Sequence, residues 1–377
     1  MAKYTLRGSA ALDALIDRHM RRIAEAVEQS PAGPHCRALI LLGGYGRGEG
    51  SPLIVHTPQG EEEHPFNDYD LIAVMDRLTP ALRQTLRALE ESLSAELGLP
   101  VDLFPYRTAD LPRCEFSLLN YEMKYGHRII RGDPDALATL PAWPHGTLPL
   151  AEGTRLLLNR GKLLLDIRRR LTRPDPLSPD ERITFIKFLF KAGLAFGDCA
   201  LLLRKEYDLS YAVKKEQLRT TDLRGLPDDG APVRAAFQAA VAFKERTDFR
   251  ELEHFDVAAE YEKTAALFLA FFRWYETRRL GAEYATPWEY LRLARRKESP
   301  AACLKGAVQQ LRFFRKIPGG GNAPLFAPPR LRLYAALPLL LQKEPTLPQL
   351  RQLLNAPATA DFEETAQAFY RLRLRFA

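Results

Sequence analysis

Two stretches, residues 41–51 and 67–74, constrain this chain more than any other part of its 377 residues. An apolar run, Ala38-Leu39-Ile40-Leu41-Leu42, ends on Gly43-Gly44, and Gly46, Gly48 and Gly50 follow at once. A second apolar run, Leu71-Ile72-Ala73-Val74, is preceded by Asp68 and Asp70. Continuous apolar runs of this length read as strands at the centre of a sheet. Side chains alternate across a strand, so Asp68 and Asp70 share one face, and Tyr69 and Leu71 take the other.

Two carboxylates held side by side repel each other unless a cation sits between them. Oxygen donors at that spacing suit Mg²⁺ or Mn²⁺. The Gly43-Gly44 turn leaves backbone N–H groups exposed, and such groups cradle phosphates. Arg47 adds a planar fork of donors matched to phosphate oxygens. A third carboxylate, Asp102, opens the run Val101-Asp102-Leu103-Phe104, which follows a helix-like segment over residues 79–97. If this strand lies beside the Asp68/Asp70 strand, three carboxylates converge on one face. That set fits two-metal phosphoryl transfer.

The combination resembles the DNA polymerase β-like nucleotidyltransferase superfamily, whose pattern is a hydrophobic strand, Gly-Gly or Gly-Ser, a spacer, Asp-x-Asp, and a later Asp. Gly43, Gly44, Asp68, Asp70 and Asp102 match those positions. The run Gly43-Gly44-Tyr45-Gly46-Arg47-Gly48-Glu49 is similar to the turn of uridylyltransferases. Gly132-Asp133-Pro134 is similar to the ending of the catalytic domain in small bacterial members. The resemblance covers residues 35–135. It implies an NTP as donor, Mg²⁺ or Mn²⁺ bound by Asp68, Asp70 and Asp102, and the triphosphate held by Gly43, Gly44 and Arg47. The spacer before Asp68 is longer than is usual there, and its polar residues 55–65 form either a hairpin tip or a lid. Gly44 stands where a serine is common.

Charge is unevenly distributed. Residues 1–150 carry 15 Lys/Arg against 20 Asp/Glu, and residues 151–377 carry 39 against 27. The basic half suits nucleotide phosphates, an acidic substrate or RNA, or else is a set of solvated Arg-rich helix faces. No apolar run approaches the eighteen residues of a membrane span, and the first residues lack the apolar core of a signal peptide. Cys36, Cys114, Cys199 and Cys303 have no paired spacing, which suits reduced thiols and a cytoplasmic location.

An amphipathic helix is expected over residues 9–29. After a proline-rich linker at residues 140–146, helix signals dominate: 153–171, 178–205, 231–246, 255–279, 287–296 and 301–316. Ser178-Pro179-Asp180-Glu181 is a helix-capping start. Residues 317–324 read as a Gly-rich loop, either a linker or a mobile element over a site. In small nucleotidyltransferases a helical domain often supplies base and acceptor contacts. The resemblance therefore implies Lys191 and Asp198, on the second of these helices, and Tyr211 and Lys214, in the loop beyond it, as nucleotide-binding candidates.

The sequence thus predicts an α+β protein. A helix at residues 1–30 packs on a nucleotidyltransferase palm at 31–145, a mixed sheet with flanking helices, and an all-helical domain spans 150–377. The expected activity moves an NMP from an NTP to a hydroxyl of a small molecule or a protein, releasing pyrophosphate. An RNA 3′-end transferase, or a non-catalytic regulatory protein of antitoxin type on the same fold, is the alternative. No membrane partner is expected, and the sequence leaves the base, the acceptor and the oligomeric state open.

Overall fold

The structure, a computed structural model, describes residues 3–314 and 327–376. The chain divides into two compact units. Residues 1–149, 205–217 and 238–254 form the first, and residues 150–204, 218–237 and 255–377 the second. This corrects the expected partition, because two segments beyond residue 150 belong with the sheet. The Gly-rich stretch at 317–324 lies outside the described residues.

The first unit is α+β. Its elements are α1 (Ala10–Gln29), β1 (Cys36–Leu41), α2 (Gly43–Arg47), β2 (Ser51–Thr57), β3 (Gly60–Phe66), β4 (Tyr69–Met75), α3 (Pro80–Leu97), β5 (Val101–Arg107), α4 (Leu118–Tyr125) and β6 (Arg128–Gly132). Four strands form a mixed sheet in the order β5-β4-β1-β6, in which β4 and β5 are parallel and the other pairs antiparallel. The spacer forms a separate two-stranded hairpin, β2–β3. Of the two forms expected for residues 55–65, the chain adopts the hairpin.

Alternation decides which residues go inside. Leu39, Leu41, Tyr69, Leu71, Val101 and Leu103 pack in one core with Leu12, Ile16, Met20 and Ile23 of α1. Ser9 caps α1 by accepting from Leu12 N, and Thr79 caps α3 by accepting from Leu82 N. These capped helices cover one face of the sheet, so Asp70 and Asp102 point to the other.

The remaining helices are α5 (Ala151–Leu171), α6 (Pro179–Arg204), α7 (Tyr211–Thr220), α8 (Ala231–Glu245), α9 (Val257–Leu280), α10 (Pro287–Arg296), α11 (Pro300–Phe314), α12 (Pro329–Leu341), α13 (Leu347–Leu354) and α14 (Phe362–Phe376). The expected Ser178 start is present: Glu181 N donates to Ser178 Oγ, and Ser178 N to the Glu181 carboxylate. In the second unit α5 packs on α6, α9 and α12. Fully buried Glu276 on α9 joins that helix to α5 and α10, accepting from Thr154 Oγ1 at 2.5 Å and Tyr290 OH at 3.0 Å. No described helix is long and apolar enough to cross a membrane.

Candidate active site

The end of β1 sets the site. Leu42 N donates to Asp70 O at 2.7 Å, continuing the β1–β4 ladder one residue past Leu41↔Leu71. The next residue, Gly43, therefore lies against the Asp70 side chain. Its φ is +60°, and a Cβ there would stand 2.4 Å from Asp70 Oδ2. Glycine satisfies both demands at once: left-handed backbone and close approach.

Asp70 and Asp102 are direct partners in the parallel β4–β5 register. Asp68 sits just before β4, where Asn67 turns the chain in at a φ of 75°. One oxygen from each of the three carboxylates lies within 4.8 Å of the other two, and all three residues are half-buried. Burial, then the charge of Asp68, pushes the Asp102 carboxyl above its ordinary value. Folded Asp102 thus keeps its proton to higher pH than in the unfolded chain. Without a cation its contribution to stability falls as pH rises above the ordinary carboxylate value. A donor set of oxygens alone, open on one side and mutually repulsive, fits a hard divalent ion such as Mg²⁺ or Mn²⁺.

Gly43 and Gly44 do not form the open turn expected of them. They are the first turn of α2, and Gly46 N donates to Leu42 O at 2.9 Å. Tyr45 then fixes the spacer. Its hydroxyl donates to the carbonyls of Ser51 and Phe66 and accepts from Phe66 N, pinning both ends of the hairpin. The Tyr45 ring meets that of buried Tyr69 edge-on at 5.1 Å.

Arg47 has a different place from the one expected. Its side chain is 9% exposed, and Nη1 pairs with Glu122 Oε2 at 2.9 Å. Glu122 also accepts from Tyr207 OH at 2.6 Å, and the Arg47 charge helps hold its carboxyl below the ordinary range. Arg47 therefore braces α2 against α4 instead of presenting its donors to a phosphate. Arg47→Leu leaves Glu122 without its guanidinium, and breaking a buried pair this way costs about 3 kcal/mol or more. The expected result is a lowered urea midpoint. A purely phosphate-binding arginine would leave that midpoint unchanged.

Residues 207–215 are not all loop, because α7 begins at Tyr211. Buried Glu49 holds this start, accepting from Tyr211 N and Ser210 Oγ, both at 2.9 Å. Lys214 is 1% exposed, with Nζ 4.1 Å from the Tyr207 ring centre and 4.6 Å from that of Tyr211. It packs inside the unit and offers no face to a nucleotide. Lys191 and Asp198 lie on α6 in the second unit, where Asp198 is buried. Neither unit gathers them with the three aspartates.

One residue at the site was not read from the sequence. Lys244, in the last turn of α8, belongs to the first unit. A Cβ on Gly44 would stand 2.8 Å from its Nζ. That Nζ also lies 5.6 Å from the Tyr211 ring centre. It sits in Phe243-Lys244-Glu245-Arg246, a polar helix end with no motif, some two hundred residues from the glycine it meets. The chain matches no family model, no curated protein and no solved structure.

Proposed function

We propose that the first unit is a nucleotidyltransferase palm that moves an NMP from an NTP to an acceptor hydroxyl. The observation carrying this reading is the convergence of Asp68, Asp70 and Asp102 on one sheet face, with Gly43 packed against Asp70. Asp68 and Asp70 hold the divalent ions, and Asp102 completes the ligand set on the acceptor side. Bound Mg²⁺ supplies charge neutralisation at the phosphates and lowers the pKa of the attacking hydroxyl. Asp102, on the acceptor side of the ligand set, takes that proton.

The first-turn N–H groups of α2, which follows β1 directly, have no intrahelical acceptors. With the Lys244 ammonium at Gly44, they form the triphosphate cradle, the role that the sequence assigns to Arg47. A small molecule or a protein side chain is the acceptor in this reading. An RNA 3′ hydroxyl is the alternative, favoured only by the Lys/Arg excess of residues 151–377.

Binding of α-labelled NTPs tests the proposal and separates it from a non-catalytic regulatory role. The full chain is expected to bind NTP in Mg²⁺ and to lose it on chelation. Lys244→Ala is expected to weaken NTP binding about 10-fold or more, in line with removing a charge-assisted bond worth roughly 1.5–3 kcal/mol. Binding indifferent to both Mg²⁺ and Lys244 would remove the proposed cradle.

A further inference from the structure

A second set of ligand-bearing side chains gathers on the hairpin. His56 on β2 and Glu61 on β3 are directly opposed in the register. Asp248 lies just beyond α8, where the chain joins the hairpin edge: Ile54 N donates to Thr247 O at 2.8 Å, and Thr247 N to Pro52 O at 2.9 Å. One donor atom from each of His56, Glu61 and Asp248 lies within 4.8 Å of the other two.

The hydrogen bonds orient the imidazole. Both Asp248 oxygens stand 3.0–3.1 Å from His56 Nε2, and the Asp248 side chain is 3% exposed. An ionised carboxylate only accepts, so Nε2 carries the proton. In the neutral ring, Nδ1 is then a bare lone pair. It faces Glu61 Oε1 across 3.7 Å, too far for a hydrogen bond. Two donors about 2.0–2.2 Å from one ion, at a near-tetrahedral angle, stand roughly 3.5 Å apart. A buried carboxylate behind the imidazole is how metal-binding histidines are commonly held.

Charge points the same way. Arg246 Nη2 lies 3.0 Å from Glu61 Oε2 and 3.5 Å from Asp248 Oδ2, and Nη1 lies 3.2 Å from Glu251. Three carboxylates, of Glu61, Asp248 and Glu251, face one guanidinium, so Arg246 alone does not balance the set. Arg246 holds Glu61 by Oε2 and leaves Oε1 towards Nδ1. The Glu61 side chain is 55% exposed, which leaves room for water ligands.

We propose that His56 Nδ1 and Glu61 Oε1, with Asp248 orienting the imidazole, bind a borderline divalent cation of the Zn²⁺ type. Mixed imidazole and carboxylate donors suit Zn²⁺, unlike the all-oxygen set of the three aspartates. The ion bridges the two strands of the hairpin, and Asp248 links its histidine to the segment that carries Lys244, so the site does not depend on the transferase reading.

The test uses the full chain carrying Asp68→Asn and Asp70→Asn, to silence the aspartate cluster, stripped with chelator and titrated calorimetrically with Zn²⁺. One equivalent is expected to bind and to raise the melting temperature. His56→Ala is expected to lose that equivalent, and Asp248→Asn to weaken it about 10–100-fold. Glu61→Gln alters a largely exposed side chain and is expected to weaken binding with an unchanged far-UV circular dichroism spectrum, separating ligand loss from misfolding. No binding below millimolar Zn²⁺, or unchanged affinity in His56→Ala and Glu61→Gln, overturns the proposal.

Discussion

Asp70→Asn is expected to lower Mg²⁺-dependent transfer about 10³-fold or more while leaving the fold intact. The side chain points away from the core shared by α1, α3 and the sheet, so the exchange removes no packing. It does remove one of three converging carboxylates, and a neutral amide is a weak ligand for Mg²⁺. Metal stabilisation of a phosphoryl transition state is worth several kcal/mol. Each 1.36 kcal/mol is tenfold in rate, so a loss of about 4 kcal/mol gives the stated factor. Steady-state turnover with labelled NTP measures it, with thermal melting in chelator as the fold control. The melting temperature in chelator is expected to stay close to that of the parent, because Asn matches Asp in size and shape. Turnover within tenfold of the parent would rule out Asp70 as a metal ligand.

The second large effect is expected at Gly43. Gly43→Ala imposes two penalties that can be measured apart. Left-handed backbone costs a residue with a Cβ about 1–2 kcal/mol, which a urea titration reads. The Cβ also enters the space of Asp70 Oδ2, since the built distance is 2.4 Å. One of the two must move, and misplacing a reacting group by about 1 Å costs on the order of 10²-fold in rate. Gly98→Ala is the control. Gly98 closes α3 at a φ of +69°, and a Cβ there meets nothing within 4 Å. It is expected to lose similar stability and no activity. Equal activity losses in the two variants would assign the Gly43 effect to general destabilisation.

Much of the first unit follows from local pattern. The apolar runs at 71–74 and 101–104 mark β4 and β5, and the alternation of side chains along a strand puts Asp70 and Asp102 on the face away from Tyr69, Leu71, Val101 and Leu103. Capping residues Ser9 and Thr79 mark the starts of α1 and α3 because they satisfy backbone donors within their own turn. Helices α5, α6, α8, α9 and α10 follow in the same way from helical spacing, which needs no knowledge of the partner. Several short elements escaped, α4 and α7 among them. α4 spans eight residues with only Tyr121 and Met123 buried, too few for a period to stand out. α7 starts where Glu49, more than 160 residues earlier in the chain, caps it.

Sequence alone marked β1, β4 and β5 and set Asp70 and Asp102 on one face, because alternation, capping and backbone freedom act within a few residues. It left the cations undecided, since a lysine or arginine reads the same whether it meets a phosphate or a buried glutamate. Arg47 was assigned to phosphate by its neighbourhood in the chain, yet Glu122, 75 residues on, claims it. Lys214, a nucleotide-binding candidate by resemblance, is enclosed by two tyrosine rings, whereas Lys244 carries no motif and reaches Gly44. Only the tertiary structure decided these roles, because the partner of a long, flexible charged side chain is set by what packing brings within a few ångströms, and that partner lies far away in the chain.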